Sequence, residues 1–124
     1  MMQVNKTTLV IGASSNPERY SYKAIQMLQQ AGHSIKAIGL KSEMVLGVQV
    51  QKEFDFSPGE IHTITLYMNP TRQSEIITTL LALNPKRIIF NPGTENEAFM
   101  QAAKDQGIDA LEACTLVMLS TGQF

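Results

Sequence analysis

The sequence predicts a three-layer α/β/α sandwich with a mainly parallel sheet of about five strands. Three observations predict it. Short apolar runs rich in β-branched residues recur along the chain, stretches of helical period separate them, and Gly and Pro punctuate the boundaries. Strands joined through helices of ten or so residues form right-handed βαβ units, which gives a parallel sheet covered on both faces, a Rossmann-like arrangement. No repeat, low-complexity tract or linker interrupts the pattern, so residues 1–124 read as a single domain.

The elements follow in order. Thr7 to Ile11 (TTLVI) is a nearly continuous apolar strand ended by Gly12. Ala24, Ile25, Leu28 and Ala31 set a helix over Ser21 to Ala31, with Ser21 as N-cap and Gly32 just past the end. Ser34 to Ile38 is a second strand, and Val48 to Val50 a short edge strand after a turn at Gly47. Phe54 to Gly59 reads as irregular covering structure, and Ile61 to Tyr67 (IHTITLY) as a strand of stronger β character. Asn69-Pro70 opens a helix over Thr71 to Leu83, with Ile76, Ile77, Leu80 and Leu81 on one side, and Asn84-Pro85 stops it. Arg87 to Phe90 is a strand, Glu95 to Gln106 an amphipathic helix ended by Gly107, Ile108 to Glu112 a last strand, and Thr115 to Ser120 a terminal helical turn before Gly122.

With 44% hydrophobic and 17% charged residues the chain has material for a packed core. A net charge of −1 leaves no bulk positive field for nucleic acid or an anionic membrane, so any bound anion must be held locally. One cysteine excludes an intrachain disulfide framework and a thiolate-rich zinc site, and fits a reducing compartment. No run approaches a membrane span, and the expectation is a soluble, cytoplasmic protein.

Open parallel sheets bind ligands beyond the carboxyl ends of their strands. That rule nominates Gly12 to Arg19, Gly39 to Ser42, Met68 to Arg72, Asn91 to Asn96 and Ala113 to Thr115. In GASSNPERYS (residues 12–21), Gly12 lets the backbone turn, and the small residues Ala13 to Asn16 let main-chain N–H groups approach a pyrophosphate beside a helix start. Ser14, Ser15 and Ser21 add hydroxyls. Ordinary strand-to-helix turns also need small and capping residues. The loop is neither a Walker A sequence nor the three-glycine dinucleotide fingerprint. The second strand ends in Gly39-Leu40-Lys41, with no carboxylate for a ribose diol. Lys41, helped by Lys36, Arg19 or Lys23, can instead pair with an extra ribose phosphate, as in CoA or NADP, or stand as a solvated surface lysine. In NPGTENEAF, Pro92-Gly93 turns directly after the strand and Asn96 offers an amide, while Thr94 with Glu97 also matches a capping box.

Gly-Ala-Ser-x-Asn-Pro-x-Arg followed by a Ser-Tyr helix start, a glycine turn near residue 47 and Pro-Gly-x-x-Asn-Glu together resemble the small single-domain CoA-binding proteins. Their fold is that of the CoA-binding domain of succinyl-CoA synthetase α chains. The resemblance runs from about Thr7 to Cys114. It implies coenzyme A as ligand, with Gly12, Ala13, Ser14, Asn16, Pro17 and Arg19 on the pyrophosphate loop, Ser21 and Tyr22 beneath it, and Lys41 near the adenosine phosphate. Pro92, Gly93 and Asn96 complete the expected cofactor-binding set with Ser15. The chain departs from the pattern at Gly39-Leu40, where many relatives have Asn-Pro, at Met68-Asn69, where they have an Arg, and at Cys114-Thr115-Leu116.

The catalytic inventory is thin. His33 and His62 both fall at the amino ends of strands, away from the nominated edge, and the nominated loops assemble no Ser-His-Asp or Cys-His set. Glu95, Glu97 and Glu112 are the acids nearest the strand ends, and helix-start capping accounts for the first two without a metal. The methionines read as filling. Cys114 is expected at the ligand edge, either as a small buried hydrophobe or near the thiol of a bound pantetheine arm. Two functions remain: a non-catalytic binding, carrier or sensor module for CoA or an acyl-CoA, or an NADP- or nucleotide-binding enzyme or subunit completed by a partner chain.

Overall fold

The computed structural model describes residues 4–124. β1 (Thr8–Ile11) leads to α1 (Tyr20–Gln30), β2 (Ile35–Ile38), the hairpin β3 (Glu43–Val45) and β4 (Val48–Gln51), and β5 (Thr63–Leu66). Then come α2 (Pro70–Gln73), α3 (Ile77–Ala82), β6 (Arg87–Phe90), α4 (Glu97–Asp105), β7 (Asp109–Glu112) and α5 (Thr115–Ser120). The sheet has seven strands in the order β3-β4-β2-β1-β5-β6-β7, parallel throughout except that β3 runs against β4.

The five parallel strands expected from the apolar runs are all present; the count rises to seven through the hairpin. The edge strand expected at Val48 to Val50 is β4, one residue longer, but β3 is not expected, because Glu43-Met44-Val45 buries only Val45 and carries no alternating pattern. Its turn is Leu46-Gly47, at φ of 51° and 83°, and a leucine in the left-handed region is no ordinary turn signal. The hairpin moves β4 inward to pair with β2, leaving β3 as a three-residue edge.

Two helix expectations also change. The single helix over Thr71 to Leu83 is two, because the chain leaves helical geometry at Ile76 (φ −121°, ψ −2°), a β-branched residue of lowered helix propensity. Ser21 is not the N-cap of α1. The helix begins a residue earlier, Arg19 occupies the cap with no side-chain bond, and Ser21 is buried in the first turn.

Alternating strand residues build the two layers of core. Leu9, Ile11, Ile64, Leu66, Ile88 and Phe90 face α3 and α4, meeting Leu80, Phe99 and Ala103. Val10, Ala37, Val50 and Ile89 face the other way, onto Ile25 and Leu28 of α1 and Met118 and Leu119 of α5. The period of two is the reason a strand buried on both faces reads as a continuous apolar run. β1 sits between β2 and β5, so the chain order reverses there. The loops after β1 and β5 therefore diverge and leave a crevice at the carboxyl edge. Among the described residues no helix is long and apolar enough to cross a membrane.

Candidate functional site

The loop after β1 is shaped by its own polar groups. The N–H groups of Gly12 and Ala13 both donate to the Ile38 carbonyl at 2.9 Å, tying the loop to the end of β2. Ser14 Oγ accepts the Asn16 N–H at 3.1 Å, and Asn16 Oδ1 accepts the Glu18 N–H at 3.0 Å. Arg19 N–H closes the turn onto the Asn16 carbonyl. The main-chain N–H groups of Ser14, Ser15, Tyr20 and Ser21 have no partner among the described residues. Gly12 and Ala13 thus set the position of the loop, while the donors left for a ligand come from Ser14, Ser15 and the first turn of α1.

Two glycines bring the backbone this close. At Gly12 (φ 93°) a Cβ would lie 2.9 Å from the Tyr67 carbonyl oxygen. At Gly39 it would lie 2.6 Å from the Ala13 carbonyl oxygen and 2.8 Å from Val50 Cγ1. Gly39, a departure from the expected Asn in the sequence pattern, is what allows β2 to pass under the β1 loop.

The crevice is a cleft of about 700 Å³ across the carboxyl edge of β4, β2, β1, β5 and β6. Of the expected residues it brings together Gly12, Ala13, Ser14, Arg19, Ser21, Lys41, Pro92 and Gly93 on its wall. Ser15, Asn16, Pro17, Tyr22 and Asn96 are not on the wall. Asn16 is engaged in the turn described above, Ser15 and Pro17 lie exposed beside it, and Tyr22 packs against the second core layer. Asn96 caps α4: its Oδ1 accepts the Phe99 N–H at 3.1 Å and its Nδ2 donates to Gln73. The capping box expected from Thr94 and Glu97 therefore does not form. Thr94 is buried and donates to the Asn91 carbonyl, while Glu95 Oε1 takes the Gly93 N–H at 2.8 Å.

Sequence reasoning missed much of the opposite wall. Tyr20, Gly39, Leu40, Glu43, Lys52, Phe54, Tyr67, Met68, Asn69, Arg72, Glu75, Ile76 and Thr94 also line the cleft. Gly39, Leu40, Met68, Asn69, Arg72 and Thr94 lie in strand-end segments that the carboxyl-edge rule nominates, but none of them carries a ligand role in the sequence reading, and Lys52 follows a strand whose place in the sheet depends on the missed hairpin. Arg19, Lys41, Lys52 and Arg72 face Glu43 and Glu75, a net excess of positive charge in a chain that is net negative. The proposed helper lysines are elsewhere: Lys23 lies over the Tyr20 ring and Lys36 is exposed on β2, neither on the cleft wall.

Buried amides hold this edge rigid. Gln73, fully buried, donates to the carbonyls of Met68 and Thr94 at 2.8 Å each and joins the loops after β5 and β6. Asn91 donates to Thr65 Oγ1 at 2.7 Å and to the Leu66 carbonyl, and accepts the Thr115 N–H at 2.8 Å. Tyr67 lies beside this network. Burial, only partly offset by the nearby Thr65 and Thr115 hydroxyls, pushes its phenol up to about 12, so it is neutral at physiological pH. Its Oη has no hydrogen-bond partner among the described residues. Cys114 is half-buried at the start of α5, off the cleft wall. Among the described residues no three His, Cys, Asp or Glu side chains gather as a metal site.

The histidines lie at the amino edge. His33 is buried against Phe124, and its Nδ1 accepts the Lys6 N–H at 3.0 Å; His62 Nδ1 meets Thr63 Oγ1 at 2.8 Å. Burial lowers both below the usual imidazole range, reinforced by the cations Lys6 and Arg87.

Solved structures share this fold. One, described as an uncharacterized protein, superposes with a TM-score of 0.94 at 42% identity, covering 98% of this chain and 100% of its own. A protein from Thermus thermophilus gives 0.85 at 20% identity, covering 97% and 91%. A dinucleotide-forming acetyl-coenzyme A synthetase from Ca. Korarchaeum cryptofilum gives 0.71 at 15% identity, and there the match covers 86% of this chain but 25% of the larger one. No curated protein matches. The sequence pattern of the CoA binding domain matches residues 6–120, nearly the full length, and the chain belongs to that family.

Proposed function

We propose that this protein binds coenzyme A or an acyl-CoA across the carboxyl-edge cleft, as a binding, carrier or sensor module with no chemistry of its own. The observation that carries the reading is the set of unpartnered N–H groups of Ser14, Tyr20 and Ser21 on the cleft wall with Arg19 between them. Oriented amides at the start of an eleven-residue helix, with a guanidinium beside them, suit a pyrophosphate. Lys41 then meets the adenosine phosphate, and Pro92 and Gly93 flank the pantetheine arm. The family supports the ligand. The non-catalytic role is supported by the histidines lying at the opposite edge and by the neutral, inward-facing Tyr67 hydroxyl. The ligand is a small nucleotide, not nucleic acid or a membrane, and the setting is the reducing cytoplasm, on the usage of cysteine.

The second reading, an NADP- or nucleotide-binding enzyme or subunit completed by a partner chain, draws on Lys41 for the ribose phosphate of NADP and on Glu43, a carboxylate that the end of β2 lacks, for the free ribose diol of a nucleotide without that phosphate. A thermal-shift panel of CoA, acetyl-CoA, NAD, NADP and ADP separates the two, because selective binding to the folded state raises Tm with the logarithm of ligand over Kd. The proposal expects CoA and acetyl-CoA to stabilise most; a shift with NADP alone overturns it in favour of the second reading.

A further inference from the structure

We propose that Lys52 is the second cation of a phosphate clamp formed with Lys41, and that this clamp makes the cleft select a ligand whose ribose carries a phosphomonoester. The inference rests on the cleft being a nucleotide site, as proposed above, and assigns a residue to which neither the sequence pattern nor the family comparison gives a role. Its basis is the placement of β4. β2 and β4 are parallel neighbours with Ile38 opposite Gln51, and Gly39 N–H donates to the Gln51 carbonyl at 2.9 Å. Residues 39–41 and residue 52 therefore leave the sheet from adjacent strand ends, which in a sheet are about 4.8 Å apart. Both lysines are exposed on the wall of the same cleft, and neither ammonium has an ion pair or hydrogen bond among the described residues.

The charge count at this end argues for a dianion. Glu43, held opposite Val50 by the hairpin, is on the same wall, so Lys41, Lys52 and Glu43 leave a net charge of about +1 for a ligand there. A phosphomonoester carries about −1.5 to −2 near neutral pH. One lysine cancelled by Glu43 would offer it nothing; the pair makes its burial favourable. The phosphate on the ribose of CoA and that on the adenosine ribose of NADP share this chemistry, and the test distinguishes them.

Calorimetric titrations of CoA, dephospho-CoA, NADP and NAD into the parent, Lys52→Ala, Lys41→Ala, the double variant and Glu43→Gln decide the matter. Lys52→Met, which keeps an apolar stem, guards against a packing effect. Lys52→Ala and Lys52→Met should each weaken the phosphorylated ligand about tenfold, as expected for a charge-assisted contact, and change its unphosphorylated partner less than twofold. Glu43→Gln should tighten the phosphorylated ligand only. The loss in the double variant should differ from the sum of the single losses, because both lysines address one group. Equal effects of Lys52→Ala on CoA and dephospho-CoA, or none on either, overturn the clamp while leaving CoA binding intact. Selection of NADP over NAD with no binding of CoA keeps the clamp and overturns the CoA reading. Binding of none of the four overturns both.

Discussion

Gly39→Ala tests the closest backbone approach at the cleft. The added Cβ would sit 2.6 Å from the Ala13 carbonyl oxygen and 2.8 Å from Val50 Cγ1, where ordinary contact begins at 3.4 Å, so the neighbours must yield by 0.8 Å and 0.6 Å. Val50 is fully buried and the Ala13 carbonyl is main chain, so neither can swing clear. Overpacking of this kind costs about 1–3 kcal/mol. For a chain of this length each kcal/mol moves Tm by about 4 °C, which puts the expected fall at about 4–12 °C in calorimetry. The same displacement moves Ala13 away from the Ile38 carbonyl that anchors the loop, so CoA affinity should fall more than stability alone accounts for. Gly93→Ala is the control: φ is 92° but nothing lies within 4 Å of the added Cβ, so only the left-handed backbone is penalised, at about 1–2 kcal/mol. A Gly39→Ala variant with the parent's Tm and affinity would refute the claim that this glycine sets the approach of β2 to the β1 loop.

Gly12→Ala combines a φ of 93° with a 2.9 Å contact to the Tyr67 carbonyl, and should fold with a lower Tm while losing measurable CoA binding by calorimetry; unchanged affinity would exclude the loop from the site. Asn91→Ala strips partners from Thr65, Leu66 and the buried Thr115 N–H, and urea denaturation should show a loss of about 3 kcal/mol with an unchanged slope. His33 and His62 are lowered in the folded state, so the unfolded chain binds more protons in acid. Stability should hold above the unfolded imidazole value of about 6.5 and fall as pH drops through the lower folded values, and the combined His33→Gln and His62→Gln variant should flatten that limb in a Tm-against-pH series.

What the sequence disclosed follows from periodicity. TTLVI, RIIF and the run to Tyr67 are buried on both faces, so their apolar continuity marks them as central parallel strands, and the carboxyl-edge rule then locates the site. β3 stayed hidden because its pattern is short and its turn uses a leucine at positive φ, and with it went the position of β4 and the significance of Lys52. Asn96 and Asn16 look like ligand-binding amides in a string of residues, yet each bonds the main chain two or three residues on, a local competition that a motif does not reveal. Gly39 reads as a lost contact in sequence and as a steric requirement in three dimensions.

The central claim is that coenzyme A lies across the β1 loop at the carboxyl edge. An amide proton–nitrogen spectrum of the labelled protein titrated with CoA tests it most directly. The account predicts saturable shifts at Ser14, Ser21, Lys41 and Gly93, the free amides of Ser14 and Ser21 moving furthest, with His33 and His62 at the far edge unmoved. Shifts confined to the amino edge, or none at millimolar CoA, would contradict it.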